Sequence, residues 1–164
     1  MRFRDANASD IPAIVETFDG RNALPLESRL RQALPALLRQ LLSSPACTFT
    51  VFEDEDWQGP QVVSFAAGLL VRDAVIEAYL AAPKPRLVAA ILASVLDGGS
   101  PLLTLDEIRH ANSGDGLDLA LFPIPLGRMN WDDPQRVELR RLAPQALLRS
   151  IGGYRLRAIY SVVF

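Results

Sequence analysis

The chain has little of the side-chain chemistry on which metal centres and nucleophilic active sites depend. Its 164 residues include one cysteine, Cys47, and one histidine, His110. A single cysteine excludes a disulfide within the chain, and a catalytic cysteine would need its histidine from an unrelated segment. Without a cluster of cysteine and histidine, structural zinc is also not expected. We therefore expect Cys47 to be a buried thiol and His110 to lie at the surface.

An excess of one charge sign and a long apolar run are also missing. The formal net charge is -2 at pH 7, so nothing attracts the chain generally to nucleic acid. No uncharged apolar run reaches the length of about 18 residues typical of a membrane span. The start, which is charged from Arg2, is unlike a signal peptide. These absences favour a cytoplasmic protein with neither a membrane nor a direct nucleic-acid partner.

The composition is that of an ordinary globular protein. Hydrophobic residues make up 49% of the chain and charged residues 22%, which suits one domain over residues 1–164 with a sizeable core. The sequence stops inside an apolar stretch, whereas chain ends are more often polar. We expect either a piece of a longer polypeptide, with a further domain downstream, or a final strand held in a sheet.

Patterns of strand and helix alternate along the sequence. The predicted strands are Arg2–Ala6, Thr48–Glu53, Gln61–Arg72, Val75–Ala81, Leu117–Ile124 and Tyr154–Phe164, in which Gly68 would mark a bulge. The predicted helices follow Ser9-Asp10, begin at Ser28, cover Pro85–Leu96, begin at the Thr104–Glu107 capping box and begin at Asp133-Pro134. The fold class is therefore α/β (α+β in some schemes), with a mixed, mostly antiparallel sheet flanked by helices.

Two groups of charged residues allow a functional or a structural interpretation. The acidic run Glu53–Asp56 could bind a metal or act in acid–base chemistry, although a solvated hairpin turn is the better interpretation. Arg136 and Arg140 lie on one face of the last helix and could contact a phosphate or a partner. A solvated amphipathic helix is the better interpretation there.

A strand, a tight turn and a helix follow one another over Ala74–Leu96, an order that commonly presents backbone N–H groups to an anion. The turn contains Lys84, the single lysine of the chain, and Arg86. Its two prolines remove hydrogen-bond donors, and no glycine opens it. Lys84 and Arg86 therefore either bind an anion at the helix start or are solvated charges.

The order of elements resembles the GNAT N-acetyltransferase fold over nearly the whole chain. Met1–Phe18 resembles that family's opening strand and helix, and Val62–Ala82 its central hairpin. Ala143–Leu156 resembles its closing helix, turn and strand, with Gly153-Tyr154 where the family often has Gly-Phe. One strand expected after the last is absent from the sequence.

The resemblance implies a site for acetyl-CoA or another acyl-CoA. The strand Val75–Ala81 would hold the pantetheine arm, and the turn after it the phosphates. The family signature, Arg/Gln-x-x-Gly-x-Gly/Ala, matches Arg86–Ile91 with Ala89 and Ile91 at its small positions, where the bulk of these side chains limits close approach of a phosphate. The cofactor-binding residues implied in this way are Tyr79, Leu80, Ala81, Lys84, Arg86 and Leu87.

The resemblance also implies how catalysis would work. Glu77 stands where some family members keep a base, and it would deprotonate an amine before the amine attacks the thioester. Arg149 occupies the position of the family's frequent tyrosine acid, and a guanidinium is no proton donor at neutral pH. The leading interpretation is an acyl-CoA-dependent N-acyltransferase or acyl-CoA-binding domain. The alternatives are a non-catalytic sensor or interaction domain of a larger regulatory protein, and a homodimer that exchanges its last strand.

Overall fold

The computed structural model describes residues 1–18, 26–56, 59–81, 87–122 and 134–161. Five strands and six α-helices lie in these ranges. The strands are β1 (Arg2–Asp5), β2 (Cys47–Asp56), β3 (Gly59–Val71), β4 (Leu117–Leu121) and β5 (Leu156–Ser161). The helices are α1 (Ile11–Phe18), α2 (Ser28–Leu42), α3 (Asp73–Ala81), α4 (Leu87–Leu96), α5 (Leu105–Ser113) and α6 (Pro134–Ile151).

The strands form one sheet in the order β1-β2-β3-β4-β5. The first three pairings are antiparallel, whereas β4 and β5 are parallel. A parallel pair needs a crossover connection, and α6 belongs to it. The predicted class, a mixed and mostly antiparallel sheet flanked by helices, is confirmed.

The larger part of the core lies on one face of the sheet. Helices α1, α2 and α4 pack there because each presents a stripe of buried aliphatic residues. In α2 this stripe contains Leu30, Leu34, Leu37, Leu38 and Leu41. Phe65 of β3 lies at the centre of an aromatic group, with ring centroids 5.3 Å from Phe18 and 6.1 Å from both Phe49 and Phe122.

Helices α5 and α6 cover parts of the opposite face. Phe52 of β2 packs with Leu139, Leu142, Ala143 and Ala146 of α6. Ile108 of α5 packs with Leu117 and Leu119 of β4, which are both about 1% exposed. Since neighbouring residues of β4 point to opposite faces, the burial of residues 117–120 shows that both faces of this strand are covered.

The predicted strand Val75–Ala81 is wrong, because this segment belongs to helix α3. Its β-branched and aromatic residues suggest a strand, but Val75, Ile76 and Tyr79 pack together against the core. Their spacing places them on one side of a helix and on both sides of a strand. The sheet therefore does not continue from β3 into this segment, and the next strand beside β3 is β4.

Smaller differences concern the edges of elements. No bulge occurs at Gly68, and the register shift lies between Phe52 and Glu53 of β2. A Cβ at Gly68 would come within 2.9 Å of Leu119 Cδ1, so close packing between strands explains this glycine. The capping box at Thr104 is confirmed, since Thr104 and Glu107 exchange hydrogen bonds at the start of α5. Within the described ranges, no helix is long and apolar enough to cross a membrane.

Candidate functional site

Glu77, the predicted base, lies on the exposed side of α3 and not on a strand. It makes no hydrogen bond or ion pair with any residue that the structure describes. One turn earlier on the same side of the helix, Asp73 accepts a hydrogen bond from Arg157 Nη2 of β5 at 2.5 Å. Glu77 therefore stands at the surface near β5, and it does not point into a gap between two strands.

The described members of the predicted cofactor-binding set differ in their exposure. Tyr79 is half-buried against the core, whereas Leu80 is 67% exposed and Ala81 is also exposed. Leu87 is 2% exposed and belongs to the core. Lys84 and Arg86 lie outside the described residues. The extended arrangement on which this set depended is therefore wrong, because α3 replaces the strand.

The segment that matches the family signature occupies a different setting from the predicted one. It runs into α4, and the element before it is a helix rather than a strand. Ile91 is fully buried in the core, and Ala89 is half-buried. In this structure the strand that has a parallel neighbour and leads into a helix is β4, which pairs with β5 and connects to α6. In open sheets of this kind, ligands bind beyond the carboxyl ends of the parallel strands.

A network of buried charges joins β1, β2 and the start of α1. Arg4 donates to both carboxylate oxygens of Asp10, at 2.8 and 2.7 Å, and its Nε donates to Glu53 at 2.8 Å. Arg2 Nε also donates to Glu53, at 2.9 Å. The hydrogen bonds from Arg4 and from the backbone of Asn7 lower the pKa of Asp10 below its usual value. The network holds the sheet edge against the helix layer.

Two expectations about solvated charges are wrong. Glu53 was placed in a solvated acidic run, but it is 5% exposed because β2 continues past it to Asp56 and both arginines of β1 cover it. Arg136, predicted on a solvated face of the last helix, is 2% exposed. The start of that helix is anchored to the sheet by a hydrogen bond from Gln135 to Asp54.

A second buried carboxylate cluster joins β4, β5 and α3. Arg157 donates to Asp118 through Nε at 3.0 Å and through Nη2 at 2.5 Å. The side chain of Asp118 is 2% exposed. The two hydrogen bonds from Arg157 to Asp118 and the one to Asp73 raise the pKa of Arg157 above the usual value of arginine. Arg157 therefore links both members of the parallel pair to the helix that follows β3.

The described residues offer few groups for proton transfer. Each of their buried carboxylates, on Asp10, Glu53 and Asp118, accepts hydrogen bonds from arginine. A carboxylate whose oxygens already accept hydrogen bonds from arginine is not available to a substrate, so it is a poor base. Arg149, at the position of the family's tyrosine, forms a loose ion pair with Asp5 at 3.4 Å.

Thiol and metal chemistry find no support in the described part of the chain. Cys47 is half-buried, and burial raises the pKa of its thiol to about 12, so the thiolate is scarce at neutral pH. The described residues contain no group of three or more histidine, cysteine, aspartate or glutamate side chains that could hold a metal ion. His110 is exposed, as expected.

Comparison with solved structures identifies the fold. A predicted acetyltransferase from Clostridium acetobutylicum, crystallised with acetyl-CoA, matches at a TM-score of 0.50 and 13% identity. The match covers 99% of this chain and 80% of that one. A tetramutant of a Bacillus halodurans protein matches at a TM-score of 0.49 and 11% identity, over 100% and 83% of the two chains. No protein-family model and no curated protein matches the sequence. The chain therefore has a GNAT-like, acetyltransferase-like fold.

Proposed function

We propose that this domain binds acetyl-CoA or another acyl-CoA and acts as an N-acyltransferase. The observation that carries the proposal is the parallel pair β4 and β5 at the end of an otherwise antiparallel sheet. The fold is shared with a protein that was crystallised with acetyl-CoA. Such a pair ends in two carboxyl termini on the same side, which is where open sheets bind ligands.

The cofactor has two candidate positions in this fold. One lies beyond the carboxyl ends of β4 and β5, next to the connection to α6. The other is the turn before α4, for which the sequence predicts Lys84 and Arg86 as phosphate contacts. Tyr79, Leu80 and Ala81 would then contact the pantetheine arm from the end of α3. A single arginine substitution distinguishes the two positions.

Isothermal titration calorimetry with acetyl-CoA and longer acyl-CoAs tests binding and position together. Arg86→Ala is compared with Arg39→Ala, which removes an exposed arginine from α2. Micromolar binding that Arg86→Ala weakens at least tenfold supports the turn before α4. Binding that both variants keep supports the ends of β4 and β5. No binding at millimolar acyl-CoA contradicts the proposal.

For a cofactor at the turn before α4, which follows α3 directly, Glu77 is the proposed base for transfer. Its carboxylate would take a proton from an amine, whose nitrogen then attacks the thioester carbonyl and expels the CoA thiolate. The test follows thiol release with a panel of amine acceptors. Glu77→Gln should lower the rate at least a hundredfold and leave acyl-CoA binding unchanged. Glu16→Gln, an exposed glutamate on α1, is the matched control. Equal rates in the two variants contradict a role for Glu77.

A second candidate function is a non-catalytic sensor of acyl-CoA or another small molecule, as part of a larger protein. The observation that favours it is the pairing of every described buried carboxylate with arginine, which leaves the exposed Glu77 as the candidate base. Acyl-CoA binding without thiol release, for any amine in the panel, supports the sensor. Sedimentation velocity tests the predicted homodimer separately.

A further inference from the structure

An open groove of about 350 Å³ lies at the end of the sheet where β3 finishes and β4 begins. Its wall is formed by the last turn of α2, by α4 and by residues 99–105, which lead into α5. The exposed surface of this wall is mostly apolar, and its aliphatic residues include Leu41, Val95, Leu102 and Leu105. The volume is in the range of small-molecule sites, which are mostly apolar with a few placed polar groups.

Arg72 is the charged residue among those described in the wall of the groove. Its Nη2 donates to Glu107 at 3.0 Å, while its Nε is buried and has no hydrogen-bond acceptor. The side chain as a whole is 37% exposed, so solvent reaches part of it. One carboxylate therefore does not satisfy this guanidinium, which has a planar fork of five donors.

Glu107 accepts the hydrogen bond from Arg72 on Oε2, the same oxygen that accepts both hydrogen bonds from Thr104. It accepts hydrogen bonds from the backbone N–H of Thr104 at 2.7 Å and from Thr104 Oγ1 at 2.8 Å. These bonds cap α5, and with the contact to Arg72 they lower the pKa of Glu107. In this arrangement Arg72 uses one donor on Glu107 and its Nε has no acceptor, so the guanidinium has donors left for a further acceptor.

We propose that this groove binds a small carboxylic acid with an apolar body. The carboxylate would lie against the guanidinium of Arg72, since charge-assisted hydrogen bonds to arginine are the strong ones. The body would lie along the aliphatic wall and exclude water from it. The groove is at the opposite end of the sheet from the carboxyl ends of β4 and β5, so the proposal is independent of acyl-CoA binding there.

Octanoate is a suitable probe, with 1-octanol and octylamine as analogues that keep the chain and change the head group. Titration calorimetry should show saturable binding of octanoate. The alcohol should bind at least tenfold more weakly, and the amine should not bind, because Arg72 repels it. Amide signals of residues 102–105 in NMR spectra should shift with octanoate and locate the site. Octanol binding as tight as octanoate binding would overturn the proposal.

Variants test the role of Arg72 against a matched control. Arg72→Met should weaken octanoate binding at least tenfold, whereas Arg109→Met should not change it. Arg109 pairs with Asp106 on the same helix but does not line the groove. Glu107→Gln removes the competing carboxylate and should tighten octanoate binding severalfold. Equal affinity in Arg72→Met and Arg109→Met would contradict the proposal.

One further variant keeps the test valid if Arg72→Met does not fold. Gln40 is exposed on α2 at the groove, and Gln40→Trp would fill the groove and leave Arg72 in place. This variant should weaken octanoate binding at least tenfold. No octanoate binding at millimolar concentration to the unaltered protein, or unchanged binding to Gln40→Trp, overturns the proposal. Arg86→Ala should bind octanoate normally, which separates this site from the predicted acyl-CoA turn.

Discussion

At the scale of single residues, Arg4 has the largest structural role among the charged side chains of β1. In Arg4→Met the guanidinium is lost, and the buried carboxylates of Asp10 and Glu53 are left without their main partner. We expect the free energy of unfolding to fall by about 2–4 kcal/mol, because the two buried carboxylates lose a charged partner. Arg4 is partly exposed, and screening of its charge by water limits the loss. Urea denaturation measures the loss.

The exposed pair of Arg141 and Glu138 on α6 is the control for this prediction. Pairs at the surface contribute little, so Arg141→Met should change the free energy of unfolding by less than about 0.5 kcal/mol. An equal effect of Arg4→Met and Arg141→Met would show that the buried network does not stabilise the fold.

The same network makes stability depend on pH. The pKa of Asp10 is lower in the folded chain than in the unfolded chain, where it is about 3.9. Below that value the unfolded chain binds more protons, so the Asp10 contribution is lost as pH falls through the folded-state pKa. The urea midpoint, measured between pH 2 and pH 6, should decrease as the pH is lowered below about 4. Asp10→Asn should flatten this dependence, and an unchanged slope would contradict it.

Glu53 shows why the charged residues were hard to place from sequence. An acidic run beside a turn is usually solvated, and the sequence does not reveal that β1 brings two arginines across from more than 40 residues away. The pairing of β1 with β2 determines whether this carboxylate is solvated or paired with arginine. His110 and the capping box at Thr104 depend on their own neighbourhoods, and both were predicted correctly.

At the scale of elements, the start of β4 depends on Gly116. Its φ is +95°, and a Cβ there would lie 3.0 Å from Arg157 N and 3.1 Å from Arg155 O. Gly116→Ala should lower the free energy of unfolding by about 2–4 kcal/mol, since strain and overpacking add. Gly153 has φ of +111° with no atom near its Cβ position. Gly153→Ala should lower the free energy of unfolding by about 1 kcal/mol. Equal losses in the two variants, measured by thermal denaturation, would refute the contribution of the close contacts at Gly116.

The parallel pair of strands depends on Arg157. In Arg157→Met the buried carboxylate of Asp118 loses both hydrogen bonds from the guanidinium. We expect β5 to open more often, because an unpaired buried charge favours a state that admits water. Hydrogen exchange at the amides of β5 should accelerate at least tenfold. Arg155→Met, an exposed neighbour, should leave these rates unchanged. Equal exchange in both variants would contradict the prediction.

Among the described elements, α3 was predicted as a strand, and it shows how a strand and a short helix can be confused. Strand formers are frequent in Val75–Ala81, but an acid at the start, Asp73, and the alanines of the segment favour a helix. The deciding signal was the spacing of Val75, Ile76 and Tyr79, which share one face of a helix. The predicted contacts to the pantetheine arm assumed a strand, whereas in the structure these residues belong to a helix.

At the scale of the whole molecule, the aromatic group around Phe65 joins α1 to β2, β3 and the residue that follows β4. Phe65 is 1% exposed and contacts Phe18, Phe49 and Phe122. Phe65→Ala should lower the free energy of unfolding by about 3–5 kcal/mol, because the cavity cannot collapse against three rings. Leu80→Ala, at a 67% exposed position, should change it by less than about 0.5 kcal/mol. Similar urea midpoints for the two variants would contradict this role.

The sequence was sufficient for the fold class and for most elements, because amphipathic stripes such as that of α2 are local. It could not show that β4 lies between β3 and β5, since that arrangement joins segments far apart in the chain. The groove beside Arg72 was not predicted for the same reason. Its wall is assembled from α2, α4 and the segment before α5.

The parallel pairing of β4 and β5 has a consequence for the order of events during synthesis. Arg157 follows Asp118 by 39 residues, so β5 leaves the ribosome well after β4. Until then β4 is an unprotected edge strand, and its buried carboxylate has no arginine. Such an edge pairs readily with other chains. The nascent chain is therefore more prone to aggregate in the interval before β5 emerges, and a chaperone that covers β4 would act in that interval.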